Sequence, residues 1–414
     1  MLFKVALKSL LNRKLTVILT IFTIAISIFV LLGVEHLRHE TKNSFSKTVS
    51  GVDLIVGART GQINLLLYSV FRIGNATNNI SWRTYQELSA NPKVAWAIPI
   101  SLGDSHKGYR VMGTNSDYFK HFKYADKQHL SFSTGIPFAE TFEVVLGAEV
   151  SHRLGYQLGE QIILSHGVGS VSFSNHEEHP FTITGILEPT GTPVDQTVHV
   201  SLEGIEAIHK DWQSGVKRPN SGKSFLNKDL KPKSITALML GLKSKIATFR
   251  IQRAVNNYRK EPLIAILPGV ALSELWEMMG IMEKVLSLIS ALVLFASLMG
   301  MSTMLLASME ERKKELAVLR SIGAHSTFVI WLIELEAIFI MAIGVLLGLV
   351  LLLLTLLILQ PYISHHYGLF INFNFINSNA LAYLGIIFTA TILLAMIPGI
   401  VAYRYSLGKS LTKF

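Results

Sequence analysis

The chain has 414 residues, half of them hydrophobic, with 38 Lys plus Arg against 28 Asp plus Glu and no cysteine. The missing cysteine excludes disulfides, thiol chemistry and cysteine-ligated metals. The formal charge of +10 gathers beside apolar blocks, is too dilute elsewhere for a nucleic-acid footprint, and has no basic–aromatic motif to support one.

Residues 1–12 place Leu2, Phe3, Ala6, Leu7, Leu10 and Leu11 on one side of a helix and Lys4 and Lys8 on the other, the pattern of a helix lying along the inner leaflet. Residues 15–34 carry no Asp, Glu, Lys or Arg. About 20 residues at about 1.5 Å each match a hydrocarbon core of about 30 Å. The block is too long for a signal-peptide core, and Glu35, His36, Arg38 and His39 follow it in place of a small-residue cleavage pattern. It reads as a retained anchor. Thr16, Thr20, Thr23 and Ser27 form a small, weakly polar stripe within it, suited to packing on a neighbouring helix.

Residues 35–284 have ordinary soluble composition. The spacing predicts that 35–49 continue the first helix. Strands are expected at 52–56, 94–99, 109–112, 144–147, 161–165, 181–187, 197–201 and 235–242. Helices are expected at 81–90, capped by Ser81, and at 149–154, 202–209 and 246–258. A last helix, 271–284, runs into the next apolar block. This is an α+β domain of two lobes, with 109–142 as the crossing and 211–233 as a loop rich in Gly, Ser, Lys and Pro.

Three more uncharged blocks follow, at 285–309, 337–360 and 380–403. The fold class is therefore an integral membrane α-helical protein of four transmembrane helices, with a large extracytoplasmic α+β domain inserted between the first and second. The expected segments are an amphipathic leader 1–14, spans at 15–34, 285–309, 328–360 and 380–403, the inserted domain with its stalk helices at 35–284, a loop 310–327, a loop 361–379 and a tail 404–414. Lys4, Lys8, Arg13 and Lys14 precede the first span; Arg312, Lys313, Lys314 and Arg320 lie in the 310–327 loop; Arg404, Lys409 and Lys413 lie in the tail. The 361–379 loop has no Lys or Arg. By the positive-inside rule both termini and 310–327 are cytoplasmic, and the inserted domain is periplasmic or extracellular.

The run EERKKELAVLRSIG at 310–323 puts Leu316, Val318, Leu319 and Ile322 on one helix side, with charges on the rest and Gly323 as a stop. It reads either as a solvated turn or as a coupling helix resting in a groove of a cytoplasmic partner. Glu334 and Glu336 sit in the first turns of the third span, where a carboxylate is costly unless interfacial or functional. They read as interfacial groups near Arg320 or the basic leader, or as a coupling role for Glu336. Gly344 and Gly348 permit a close helix contact, at a dimer seam or within the chain. His176 and His179, near His166 and flanking Glu177 and Glu178, are either surface histidines or a zinc pair. A joint site with His365 and His366 is a remoter idea. No phosphate loop is present: before Gly222–Lys223–Ser224 the required glycine position holds Lys217, and before Gly408–Lys409–Ser410 it holds Tyr403. No Ser/His/Asp order or paired-carboxylate pattern points to hydrolysis, so no catalytic residues are assigned.

The run from Glu310 through Glu336–Ala337 to Gly344 and Gly348 resembles the signature of FtsX-like permeases, which include the MacB-type exporters, the LolC/LolE lipoprotein-release subunits and FtsX itself. The tail IPGIVAYRYSLGKSL, with Pro398, resembles the family's final span. VVLGAEVSHRLGYQLGEQIIL and FTITGILEPTGTPVDQTVHVSL resemble the MacB-type periplasmic core domain. The resemblance implies a stand-alone permease subunit of an ABC transporter in a bacterial inner membrane, not itself an enzyme. Two copies, as a homodimer or related heterodimer, would each bind a separate cytoplasmic ATPase. Glu310, Arg312, Glu315, Leu316, Leu319, Arg320 and Gly323 would couple to that ATPase, and Glu336, Gly344, Gly348 and Pro398 would pack or couple the spans. The chain itself would bind no cofactor; ATP and magnesium belong to the ATPase. The outer partner would be a periplasmic adaptor, a lipoprotein or an outer-membrane protein, alongside membrane lipid. The cargo would be a lipoprotein, lipid, peptide or small molecule, moved by mechanotransmission. The alternatives are an FtsX-like signalling subunit acting on an extracytoplasmic partner and a zinc-linked transport system.

Overall fold

The computed structural model describes residues 2–48, 50–125, 127–167, 179–210, 212–213, 216–217, 230–311, 326–367, 373 and 378–408. From the N-terminus, α1 (Leu2–Asn12) leads into α2 (Lys14–Lys47). β1 (Leu54–Ala58), α3 (Gln62–Val70), β2 (Ile80–Ser81) and α4 (Trp82–Ser89) follow, then the long β3 (Val94–His106) and β4 (Tyr109–Thr114). Next come α5 (Asp117–His121), the pair β5 (Lys123–Tyr124) and β6 (Gln128–His129), β7 (Phe132–Gly135), β8 (Glu143–Leu146) and α6 (Ala148–Leu154). β9 (Gln161–Ile162), β10 (Ser165–His166), β11 (Phe181–Leu187) and β12 (Thr197–Ser201) precede α7 (Leu202–Lys210). The short β13 (Trp212–Gln213) and β14 (Val216–Lys217), then β15 (Ser234–Ile235), β16 (Ala237–Leu242), α8 (Thr248–Asn256) and β17 (Leu263–Ile266) finish the inserted domain. Three long helices remain: α9 (Pro268–Glu311), α10 (Ser326–Tyr367) and α11 (Ser378–Gly408).

Two compact units emerge, one from 1–40, 280–362 and 371–414, the other from 41–279 and 363–370. The first is a helical bundle. Its four apolar stretches, Lys14–Asn43, Pro268–Met309, Thr327–Gln360 and Asn379–Val401, are long and apolar enough to cross a bilayer. Many of their large side chains, among them Leu15, Leu288, Ile358 and Leu393, are exposed, as lipid-facing residues are. The bundle holds together as membrane helices do, by small residues and polar contacts. Ser27 meets Ser297 at 2.7 Å between α2 and α9, and Ser302 donates to the Leu394 carbonyl of α11 at 3.3 Å. The leader α1 buries Ala6, Ser9 and Leu10 and sets Phe3 edge-on against Phe339 of α10, ring centres 4.9 Å apart.

The second unit is built on an eleven-stranded sheet in the order β17-β1-β16-β3-β4-β12-β8-β11-β7, with β10 added on β3 and β9 on β11. β3 ties its two halves together. Residues 94–100 pair with β16, residues 101–106 pair with β4, and the register shifts between Leu102 and Ser105. β4 with β12 and β8 with β11 are parallel, and the other pairs are antiparallel. All five residues of β1 and of β12 are buried, as strands covered on both faces must be. β11 instead alternates buried and half-buried residues. One apolar core lies under the first half, around Leu54, Val56, Leu238 and Ile251. Another lies under the second, around Val144, Phe181 and Val198. A third, with Ile55, Leu65, Tyr118, Val145 and Val194, joins segments from both halves.

Several expectations need correction. The halves join at β3, not in 109–142, because 94–106 forms one unbroken strand long enough to pair on both sides. α3 and β17 were not anticipated. The first is too short for a clear periodicity, and the second is stabilised by pairing with β1, some 200 residues away in sequence. α10 continues through Tyr367 into the stretch expected as a loop, and 246–258 begins as a 3-10 turn before α8 starts at Thr248. Ser81 caps α4 as expected, its hydroxyl accepting the Thr84 amide at 3.3 Å.

Candidate functional site: the span core and the ends flanking residues 312–325

The segment expected to couple to a partner lies between α9 and α10. Arg312, Glu315, Leu316, Leu319, Arg320 and Gly323 fall outside the described residues, and Glu310 is on the last turn of α9. The flanking geometry is described. Arg13, between α1 and α2, donates from Nη2 to the Ser308 carbonyl at 2.7 Å and pairs its Nε with Glu311 at 3.3 Å. It occupies a C-terminal carbonyl that the helix cannot satisfy itself, and it sets a cation at the negative end of the helix dipole. One residue thereby pins the leader, the start of the first span and the end of the second. Sequence reading used Arg13 for topology only; a lone arginine gives no signal of a partner 295 residues away.

Glu334 and Glu336 lie in the first half of α10. Both are buried within the bundle, at 7% and 2% exposure, although two residues apart on a helix they point to different sides. Val329, Leu332, Ile333, Ala337 and Ile340 of α10 are buried at this level as well. Neither carboxylate oxygen of Glu334 has a hydrogen-bond partner among the described residues.

Gly344 and Gly348 form an intrachain contact, against α2. A Cβ on Gly344 would stand 2.6 Å from Ile24 Cγ2, and one on Gly348 would stand 2.8 Å from the Ala25 carbonyl and 2.9 Å from Ile28. The helices cross so closely that only glycine fits. The buried stripe of α2 is Val17, Ile24, Ala25, Ile28 and Leu32 with Ser27. Of the expected polar stripe, Ser27 reaches a neighbouring helix. Thr16, Thr20 and Thr23 fold their hydroxyls back onto carbonyls of their own helix. Pro398 is buried within α11, next to Gly399, where a Cβ would stand 3.4 Å from Ile330 Cγ2 of α10. On one flank of the bundle, Arg38 bridges Glu35 at 3.0 Å and Glu283 at 2.9 Å, linking α2 to α9.

His176 lies outside the described residues. His179 stacks on Phe142, rings 5.2 Å apart and 7° from parallel, in a bend leading to β11. No cluster of three metal-ligating side chains occurs among the described residues. His365 and His366 lie on the last turns of α10. Two carboxylates of the inserted domain hold local structure. Asp195 accepts the Thr190 and Gly191 amides and closes the turn before β12. His209 approaches Asp104 at 3.4 Å.

Comparison with known proteins places this geometry. The model of the MacB-like periplasmic core domain matches residues 17–258, more than half of the chain, and that of the FtsX-like permease C-terminal region matches 287–411. A search of curated proteins returned no match. Among solved structures, the extracellular domain of the noncanonic ABC-type transporter YknZ from Gram-positive bacteria aligns over 51% of this chain and 98% of its own, at 11% identity and a TM-score of 0.31. With four helices apolar enough to span a bilayer and an α/β domain between the first two, the chain belongs to the family of FtsX- and MacB-type permeases, the non-enzymatic membrane components of ABC transporters.

Proposed function

We propose that this permease is a mechanical transmitter: a separate cytoplasmic ATPase binds residues 310–323, and its ATP-driven motion reaches the inserted domain through the spans. The observation that carries this reading is helix continuity. α2 runs 34 residues and α9 runs 44 without a break, each from inside an apolar block into the polar insertion. An unbroken helix transmits rotation and translation along its axis, whereas a flexible linker would not. Arg13 supports the reading from the other end, because its bonds to Ser308 and Glu311 make the turn before residue 312 move with α1 and α2.

In this scheme the positive-inside bias sets the orientation, with both termini and the coupling segment cytoplasmic and the inserted domain outside. Two permease copies flank two ATPase copies. The bundle needs no substrate channel; the work is export or extraction of a lipoprotein, lipid, peptide or small molecule at the outer face. Leu316 and Leu319 seat in a groove of the ATPase, as anchors of a short amphipathic helix do. The test is co-purification with the ATPase encoded by the same organism. The double variant Leu316→Asp, Leu319→Asp should lose the complex and ATP-dependent release while the inserted domain keeps its thermal transition. Retention of full coupling by that variant would refute the assignment.

A further inference from the structure

Arg72 follows α3 with its backbone in the left-handed region, φ 61°, a conformation that is disfavoured for a non-glycine residue. That turn carries its side chain into the core shared by the two halves of the inserted domain. The guanidinium donates from Nη1 to the Ser69 carbonyl and from Nη2 to the Met112 sulfur at 2.6 Å, a weak acceptor. An arginine stays protonated inside a protein, and an isolated buried cation is strongly disfavoured. Yet among the described residues no carboxylate pairs with it: the nearest carboxylate influence, Asp195, falls on Tyr118, and the other ion acting on the guanidinium is a second cation, Arg110, itself held by the Gly74 carbonyl and Asn75. Nor is Tyr118 a counterion, since burial pushes its hydroxyl up to about 12.

Four polar atoms around this charge are buried and unsatisfied: Arg72 Nε, the Tyr118 hydroxyl, and both ring nitrogens of His199. The Tyr118 hydroxyl lies beside the guanidinium, and the His199 ring lies beside the Val145 backbone. Tyr118 and His199 are fully buried, their rings tilted by 30° with centres 5.4 Å apart, walled by Phe119 and Phe122. Buried polar groups are almost always paired. Arg72 Nε, the Tyr118 hydroxyl and the single N–H of neutral His199 are donors from three separate elements, next to a charge with no carboxylate partner among the described residues.

We propose that Arg72, Tyr118 and His199 together bind a small monovalent inorganic anion, of which chloride is the type. An acceptor-only anion satisfies the donors and neutralises the guanidinium at once, which a water molecule does not. The aromatic and thioether walls favour an ion that sheds its hydration readily over a strongly hydrated phosphate or sulfate. Because Arg72 comes from the loop after α3 while Met112 and His199 lie on β4 and β12, the ion fastens one half of the domain to the other.

The experiment is thermal unfolding of the full-length permease in nanodiscs, with chloride raised from about 1 to 300 mM and gluconate holding ionic strength constant. Saturable stabilisation of about 2–5 °C is expected, with bromide substituting for chloride. Tyr118→Phe, which keeps the ring packing, should raise the half-saturating concentration about tenfold or more, as loss of one hydrogen bond to a charged group implies. Arg72→Met should abolish saturation. Bromide-soaked crystals should show anomalous density within contact of the guanidinium. Equal melting in chloride and gluconate, or density for water alone at this point, would overturn the proposal. So would an unchanged half-saturation in Tyr118→Phe, even if Arg72→Met fails to fold.

Discussion

Two histidines of the inserted domain give opposite pH signatures. His199 is fully buried, and burial holds its pKa down to about 3. It is neutral in the folded state, while the unfolded chain takes up its proton below about 6.5. Its contribution is therefore intact above that value and lost as pH falls toward 3, with a slope approaching about 1.4 kcal/mol per pH unit. His199→Phe should flatten the acid limb of a stability-versus-pH curve between those limits. For His209, burial alone would lower the pKa, but the hydrogen bond and charge of Asp104 outweigh it and raise it. That stabilisation is complete below about 6.5 and is lost as pH rises through the folded value. Asp104→Asn should remove it, seen as a loss of stability at pH 6 that vanishes at pH 9. The Asp104–His209 pairing was not legible in the chain, since the two are separated by more than a hundred residues that the sheet must first fold together.

At the level of elements, the α2–α10 contact is the sharpest constraint in the bundle. A side chain at Gly348 meets the Ala25 backbone under 3 Å away, and backbone does not move aside as a flexible side chain can. Gly348→Leu should destabilise the folded bundle by about 1–3 kcal/mol through overpacking, measured by reversible unfolding in mixed micelles. Gly300 is the control: nothing lies within 4 Å of a Cβ there, so Gly300→Ala should be neutral or slightly stabilising. The spacing of Gly344 and Gly348 announced a close contact; the identity of the partner helix required the fold. The same holds at Arg13. Arg13→Met should leave membrane insertion intact and reduce ATP-dependent output, read as the ratio of substrate release to ATP hydrolysed. An unchanged ratio would show that the Ser308 and Glu311 bonds are structural only.

For the whole molecule, orientation is open to direct measurement, and the absence of native cysteine makes it simple. Ile246 is 92% exposed in the inserted domain. Ile246→Cys should react with a membrane-impermeant maleimide added outside intact spheroplasts, and a cysteine placed in the tail should react only after lysis. The reverse pattern would overturn the proposed topology and the transmission scheme with it.

What the sequence determined was its phases. Twenty uncharged apolar residues have no stable place but lipid, so four spans and a polar insertion were fixed by composition, with the family signature in 310–348 and 144–202. Caps and β-branched runs likewise fixed most helices and strands, because those preferences act over a few residues. What only tertiary structure decided depends on distant partners. β17 is a strand because β1 lies beside it, Gly348 faces Ala25, Glu334 is buried, and Arg72 stands in an apolar core. Local sequence sets the conformation of a segment, but the free energy of burying a charge or closing a helix pair depends on what arrives opposite it.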